Sequence, residues 1–144
     1  MFIDIESENW KENINSVIEN TAAGHHGIRV VDVDLDQMVL EMTITAKSRQ
    51  PLGMLHGGVS MLIAETAASM HAGVGVDLSK KVPVGIEING THVSSATEGD
   101  IRAIAKVIRR TRNLIFHQVD IFHKEDDRLL STARVTNYYK KVGG

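Results

Sequence analysis

A single acidic residue lies inside the most apolar stretch of the chain. Between Gln50 and Asp77 the sequence reads PLGMLHGGVSMLIAETAASMHAGVGV, and Glu65 is its one formally charged residue. Removing a carboxylate from water is costly unless the group is paired, protonated or used in a reaction. Two hypotheses follow: a structural acid that bridges to an arginine or a backbone amide, or a catalytic acid.

The residues around Glu65 predict a helix with a polar stripe. Met, Leu, Ile and repeated Ala favour a helix over residues 59–72. The helical period aligns an acid with a hydroxyl one turn away, on a stripe formed by Gly58, Met61, Glu65 and Ser69. Gly57 and Gly58 leave the first helical amides uncovered by side chains, so the helix N-terminus can receive a developing negative charge. Acid, hydroxyl and electropositive amides together indicate carbonyl chemistry.

The segment before this helix adds an amide and an imidazole. It reads RQPLGMLHGG, so that Gln50 and His56 lead into the glycine-opened helix. A lone histidine is more often a helix cap or a core residue than a catalytic one. Its position next to Gly57 favours a catalytic role for His56, and the whole segment moves the interpretation of Glu65 towards catalysis.

The composition limits the class of protein and of partner. At 144 residues the chain suits one domain with a modest core, predicted to span residues 1–144. Its 16 basic and 18 acidic residues nearly balance, so neither nucleic acid nor an anionic membrane is indicated as a partner. The start MFIDIESENW lacks a basic region followed by an apolar stretch, so we expect no secretory signal and a cytoplasmic location.

No metal site is predicted. The sequence has no cysteine, which excludes disulfides, thiolate catalysis and cysteine-ligated zinc. His25 and His26 are adjacent in a glycine-containing loop, but no further ligands can be identified, so we expect them to be exposed to solvent. The apolar run around Glu65 also contains histidines, serines and glycines, which favours a buried helix over a membrane span.

The pattern along the chain predicts an α+β fold. A first helix is expected over residues 7–20, capped by Ser7, and two short strands over 28–35 and 38–46. The long helix follows, and then four strands over 82–96, 100–111, 114–124 and 129–141. A helix that is apolar on nearly all faces cannot lie on a surface. We therefore expect an antiparallel sheet wrapped around one long central helix.

These residues resemble a known family, the hotdog-fold thioesterases. The matching string is Gln50, Pro51, Gly53, Leu55, His56, Gly57, Gly58, Glu65 and Ser69, and a second patch runs from Gly85 to Asn89 and includes His92. The resemblance covers residues 20–140 and is strongest to the branch that acts on 4-hydroxybenzoyl-CoA and 1,4-dihydroxy-2-naphthoyl-CoA, the latter in menaquinone formation. It implies a hotdog fold, hydrolysis of an acyl-CoA thioester, and no cofactor.

The resemblance implies a role for each motif residue. Glu65 matches the catalytic carboxylate, acting as nucleophile or as general base, and Ser69 matches the hydroxyl that positions the water or the glutamate. Gly57 matches the residue whose amide binds the thioester oxygen. Gln50 and His56 match groups that orient the carbonyl and the departing sulfur. No metal is required, because a thioester is already activated and releases a good leaving thiolate.

Further residues are expected to bind the substrate. The stripe residues Gly58 and Met61 are placed beside the acid, and His92 is expected in the wall of the coenzyme channel. Coenzyme A phosphates need cations, and related enzymes place these at a comparable strand turn, here Arg110, Thr111 and Arg112. This turn departs from the glycine-like turn of the family, and a solvated strand end is the alternative interpretation.

The resemblance also implies an oligomer. In the family the Gln50 and Gly57 equivalents come from one subunit and the Glu65 and Ser69 equivalents from another, so we expect an obligate homo-oligomer, a dimer of dimers. Two other functions remain open at this point. One is a domain that binds acyl-CoA without turnover, and the other is a hotdog hydratase or dehydratase, which normally uses a His and Asp pair at a different spacing.

Overall fold

The computed structural model describes residues 3–143, so residues 1, 2 and 144 of the predicted domain lie outside the described part. Helices α1 (Trp10–Ile18) and α2 (Ala22–His25) precede strands β1 (Arg29–Val33) and β2 (Gln37–Thr43). A 3-10 turn, Ala46–Ser48, leads to the long helix α3 (Gly57–Ala72). Four strands complete the chain: β3 (Lys81–His92), β4 (Asp100–Arg110), β5 (Leu114–His123) and β6 (Leu129–Lys141).

The six strands form one antiparallel sheet around α3. The strand order is β1-β2-β4-β5-β6-β3, so that β1 and β3 are the edges. Helix α3 packs against β2, β3, β4, β5 and β6. Its sheet-facing side is small and fully buried at Ala64, Ala67 and Ala68, which lets the helix approach the strands closely. The predicted α+β architecture, a sheet wrapped around one central helix, is confirmed.

The first helical region differs from the expectation. Helix α1 begins at Trp10 rather than at Ser7, and its N-cap is Asn9, which makes no side-chain cap hydrogen bond. A second, four-residue helix then follows, and the side chain of Thr21 accepts a hydrogen bond from Gly24 N at its start. The glycines that indicated the end of the first helix therefore belong to α2 and to the turn after it.

Two buried histidines join α3 to β5 near the end of the helix. His71 and His117 are both fully buried, and His71 Nδ1 lies 2.8 Å from His117 Nε2. His71 Nε2 lies 2.9 Å from the carbonyl oxygen of Asp34, so it must be the protonated nitrogen, and His117 Nε2 then donates to His71. Burial lowers the pKa of both histidines, and that of His117 falls to about 3. The neighbouring His71 and Arg110 lower the pKa of His117 further.

A buried carboxylate links strands β1, β2 and β4 on the other face of the sheet. Glu41 is 4% exposed and forms ion pairs with Arg29, Arg102 and Lys124 at 2.8–3.3 Å. Burial raises the pKa of Glu41, but hydrogen bonds from Arg102 and Lys124 outweigh it and hold that pKa below its usual value. The charge stays on Glu41 because its cations lie within hydrogen-bond distance.

Candidate active site

The start of α3 offers one backbone amide that the fold leaves free. His56 is the N-cap, and its Nδ1 accepts a hydrogen bond from Gly58 N at 2.8 Å. The amides of Val59 and Ser60 donate to the carbonyl oxygen of His56. Within residues 3–143, the amide of Gly57 has no acceptor. The positive end of the helix dipole therefore presents a single available donor.

This amide lies in a small cavity, here called the amide pocket. The cavity has a volume of about 180 Å³, and its lining includes Gln50, Gly57, His92 and Ser131. Gln50 Oε1 accepts a hydrogen bond from Leu52 N, which leaves the Nε2 group of Gln50 available as a donor. His92 Nδ1 is held 2.8 Å from Ser131 Oγ. The sequence-predicted residues Gln50, Gly57 and His92 are thus brought together.

His56 is the N-cap of α3, which is one of the two roles considered for it. Because its Nδ1 accepts from Gly58 N, its Nε2 carries the proton and is a donor. Because the amide of Gly58 already donates to His56 Nδ1, Gly58 has no free backbone donor. Capping is therefore shown by the geometry, and it fixes the tautomer that a carbonyl-orienting histidine would need.

Glu65 lies further along α3, next to the edge strand β3. A Cβ placed on Gly85 of β3 would come within 2.5 Å of Glu65 Oε1, so the missing side chain leaves room for the carboxylate. Ser69, one turn on, accepts a hydrogen bond from Asn137 Nδ2 at 2.8 Å. Among residues 3–143 no lysine, arginine or backbone amide pairs with Glu65. The structural hypothesis, an acid locked against an arginine, therefore receives no support.

Glu65 is exposed, which corrects the expectation that it is buried. The helix is buried where it faces the sheet, but the stripe with Glu65 lies along the open margin beside β3. The side chain faces a cavity of about 440 Å³ between α1, α2 and α3, here called the acid groove. Its lining is mostly apolar: Val17, Ile18, Thr21, Ala22, Ala23, Leu62, Glu65, Thr66, Ser69 and Met70. A second apolar cavity of about 440 Å³ shares Val17, Ser69 and Met70 with it.

The amide and the acid are too far apart to act on one carbonyl group within one chain. Gly57 and Glu65 are separated by eight residues of regular helix, which is about 12 Å along the axis and about 80° around it. Each of them lines a different cavity. A single chain therefore carries both halves of the predicted site without assembling them.

Known proteins share both the sequence and this architecture. A family model described as thioesterase superfamily matches residues 52–130. The chain belongs to this superfamily. A 1,4-dihydroxy-2-naphthoyl-CoA hydrolase of Escherichia coli is 34% identical over 132 residues, covering 88% of this chain and 96% of that protein. A hydrolase of the same name from Listeria monocytogenes is 35% identical over 115 residues, with 80% and 92% covered. The crystal structure of a Haemophilus influenzae thioesterase has a TM-score of 0.87 and 31% identity, with 93% and 92% covered.

These findings confirm two of the expectations. The protein is a thioester hydrolase, and its helix-in-sheet arrangement is the hotdog fold. No helix within residues 3–143 is long and apolar enough to cross a membrane. The same residues contain no cluster of three histidine or acidic side chains that could hold a metal ion.

Met61 of the thioesterase faces β3 rather than an open cavity. Its Sδ would lie 2.7 Å from a Cβ on Gly90, so the thioether packs into the space that this glycine leaves. The predicted stripe of α3 therefore follows the edge strand, with Met61 over Gly90 and Glu65 over Gly85. Met61 is half-buried and lies one helical turn before Glu65.

The predicted phosphate contacts lie at the other end of the thioesterase. Thr111 closes the turn between β4 and β5, where its hydroxyl accepts from Leu114 N at 2.9 Å. Arg110 donates to Tyr139 Oη at 3.0 Å and to the carbonyl oxygen of Val74 beyond α3. Helix α3 is about 24 Å long, so this turn is remote from the Gly57 end of the same chain. Arg112 is exposed, and none of these residues lines the amide pocket or the acid groove.

Sequence reasoning missed two polar residues of the candidate site. Ser131 holds His92, and Asn137 holds Ser69. Asn137 shares the inward face of β6 with Val135 and Tyr139, which are both buried. The sequence contains no usable signal for Asn137, because its inward position is evident only from the register of β6.

The edge strand beside Glu65 is long and exposes two large apolar side chains. Strand β3 has twelve residues, and Val84 and Ile86 are 36% and 57% exposed. The register shifts at Ile86, where β3 bulges against β6. An uncovered apolar edge of this length invites pairing with another strand.

Proposed function

We propose that this thioesterase hydrolyses an acyl-CoA at a site shared by two subunits. Glu65 and Ser69 come from one subunit, and the partner's Gly57, Gln50 and His56 complete the site. The observation that carries the proposal is that the free amide of Gly57 and the unpaired carboxylate of Glu65 line separate cavities on one chain. A second copy supplies the missing half of each site.

The edge strand supports a way of assembling the two halves. Two copies of β3 can pair antiparallel about a two-fold axis, which covers the exposed Val84 and Ile86. The two α3 helices then run in opposite directions, since each lies along its own β3. The N-terminal half of one helix faces the C-terminal half of the other, and the partner's Gly57 approaches Glu65. The dimer of dimers expected from the sequence stays a prediction.

Hydrolysis at the shared site requires water as the only co-reactant. Glu65 as general base takes a proton from water, and the hydroxyl oxygen adds to the thioester carbon. The amide of the partner's Gly57 stabilises the oxyanion, a contribution of about 3 kcal/mol. Collapse of the intermediate breaks the C–S bond, and the thiolate leaves with the proton from Glu65. If Glu65 attacks directly instead, an anhydride forms and the thiolate leaves; water then cleaves the anhydride to the free acid and the Glu65 carboxylate, and the proton released protonates the thiolate.

The substrate is proposed to carry a compact aromatic acyl group. The acid groove is apolar and has a volume of about 440 Å³, which suits a one-ring or two-ring acyl group. The Escherichia coli and Listeria monocytogenes relatives are hydrolases of 1,4-dihydroxy-2-naphthoyl-CoA, and we propose the same substrate and a role in menaquinone formation for this chain. His92 and the exposed Arg112 stay the proposed coenzyme contacts, together with Arg110 and Thr111. The cytoplasmic location also stays a prediction.

Release of free thiol tests the proposal directly. Glu65→Gln keeps the size of the side chain and removes its charge, so we expect a folded oligomer whose hydrolysis is at least about a hundredfold slower. A panel of aroyl-CoA and alkyl-CoA thioesters, followed by thiol release, measures both the loss and the acyl preference. Binding without thiol release by the wild-type protein would identify a non-catalytic acyl-CoA-binding domain instead. Equal rates on every thioester would remove the naphthoyl assignment.

Mixed oligomers test the shared site. Glu65→Gln and Gln50→Ala subunits, each of low activity alone, give heterodimers in which one site has both changes and the other has neither. Random mixing should therefore restore about a quarter of the wild-type activity. If both halves of the site came from one chain, co-expression would restore none.

A further inference from the structure

A buried amide lies directly behind the hydroxyl of the proposed site. Asn137 of β6 is fully buried, and its Nδ2 donates to Ser69 Oγ at 2.8 Å. Its Oδ1 is also buried and has no hydrogen-bond partner within residues 3–143. The structure gives the amide the orientation with Nδ2 towards Ser69, and this is the one hydrogen bond that the Asn137 side chain makes within residues 3–143.

The unpartnered oxygen makes Asn137 costly as a purely structural residue. A buried polar atom without a partner destabilises a fold, whereas an apolar side chain of the same shape would not carry that penalty. The neighbours of Asn137 on the same face, Val135 and Tyr139, are buried residues of an apolar core. Leucine has the same branched shape and number of side-chain heavy atoms as asparagine, and it carries no polar atom to leave unpaired.

The hydrogen bond from Asn137 occupies the Ser69 oxygen as an acceptor and leaves the Ser69 proton unused within residues 3–143. Serine and threonine in a helix commonly donate to the carbonyl oxygen four residues back. Thr66 of the same helix does so, since its hydroxyl lies 2.7 Å from the carbonyl oxygen of Leu62. Ser69 makes no such bond to the carbonyl oxygen of Glu65; its oxygen accepts from Asn137 instead. Its own proton then stays available to an acceptor in the acid groove, which both Ser69 and Glu65 line.

We propose that Asn137 is a positioning residue that orients the Ser69 hydroxyl for the hydrolytic step. This inference rests on the proposed function, because the acceptor for the Ser69 proton is the glutamate or its water. Asn137 does not touch the substrate. It acts through Ser69, so its effect on the rate must disappear when Ser69 has no hydroxyl.

Asn137→Leu separates positioning from structure, since the two roles predict opposite changes. We expect kcat to fall about tenfold, the equivalent of one lost hydrogen bond, with KM unchanged. We expect the melting temperature to stay the same or to rise, because the unpartnered oxygen is gone. Thr136→Val is the matched control: it removes a polar group from the next residue of β6, which faces the other side of the sheet, and it should leave kcat unchanged.

A double-mutant cycle completes the test. In a Ser69→Ala background, Asn137→Leu should change kcat by less than about twofold. An equal loss of kcat in both backgrounds, a wild-type kcat in Asn137→Leu, or loss of the folded state in both Asn137→Leu and Asn137→Ala would each overturn the inference. Failure of the proposed function is a different result: the wild-type protein would release no thiol, or Glu65→Gln would be as active as the wild type.

Discussion

The buried pair His71 and His117 predicts that the fold loses stability in mild acid. The unfolded chain binds a proton at each imidazole near the ordinary pKa of 6.5, whereas His117 in the folded chain binds one only near a pKa of about 3. The unfolded state therefore holds more protons between these two values, and stability falls as the pH drops below 6.5. Above that pH neither state is protonated, and the contribution of the pair is constant.

The size of this effect follows from the shift in pKa. Each pKa unit corresponds to about 1.4 kcal/mol, so His117 alone accounts for about 5 kcal/mol over the whole window. Between about pH 7.5 and about pH 5 the loss assigned to His117 is about 2 kcal/mol. The pKa of His71 is lowered as well, and it acts in the same direction.

Urea unfolding of wild type and His117→Gln at both pH values measures the effect. Glutamine can still donate to His71 Nδ1 but does not titrate, so the variant should lose about 2 kcal/mol less than the wild type on acidification. Carboxylates elsewhere titrate equally in both proteins and cancel in the difference. The protein concentration must be fixed, because association shifts apparent stability.

His25→Gln is the matched control for this measurement. His25 is exposed, so its replacement should leave the acid-induced loss at the wild-type value. The same loss of stability in His117→Gln and in the wild type would refute the reasoning, because it would mean that protonation of the buried pair does not drive acid unfolding.

Two further substitutions test the contacts that hold the site and the sheet. Gly85→Ala places a Cβ where the Glu65 carboxylate lies, so we expect kcat to fall about a hundredfold with the fold retained. Gly90→Ala meets the flexible thioether of Met61 and the Cβ of Ala133 but not the carboxylate, so it should reduce kcat far less. Equal effects on kcat would argue against a fixed carboxylate position. Glu41→Gln leaves its cations without a counter-charge, and chemical denaturation should show a loss of about 2 kcal/mol, whereas an unchanged midpoint would show that solvent already screens this cluster.

The sheet and the central helix could be predicted from the sequence because their patterns are strong. In β5 every second residue is buried along the whole strand, which is the period that identifies a strand. Helix α3 begins at Gly57, two residues before the predicted start, because the His56 cap brings both glycines into the first turn. The short helix α2 was missed, since four residues that include Gly24 carry no helical period.

The residue types around Glu65 and Gly57 indicate their chemistry, and the family resemblance implies that the two residues act from different subunits. The fold adds the separation of the two residues within one chain, eight residues of regular helix. The exposure of Glu65 depends on which side of α3 meets the edge of the sheet, and local sequence does not contain that information. Thr111 is bound into its turn by hydrogen bonds that a basic cluster in the sequence does not reveal. Asn137 becomes informative only after the register of β6 is known.

In the proposed dimer, strand β3 makes the activity of each chain depend on a second chain. Gly85 of β3 leaves space for the Glu65 carboxylate, and β3 is also the edge strand with which a second copy would pair. A newly synthesised chain would therefore hydrolyse no thioester until it associates with a second chain. Catalytic output would rise with the square of the chain concentration when the protein is scarce, which makes the amount synthesised a control in its own right.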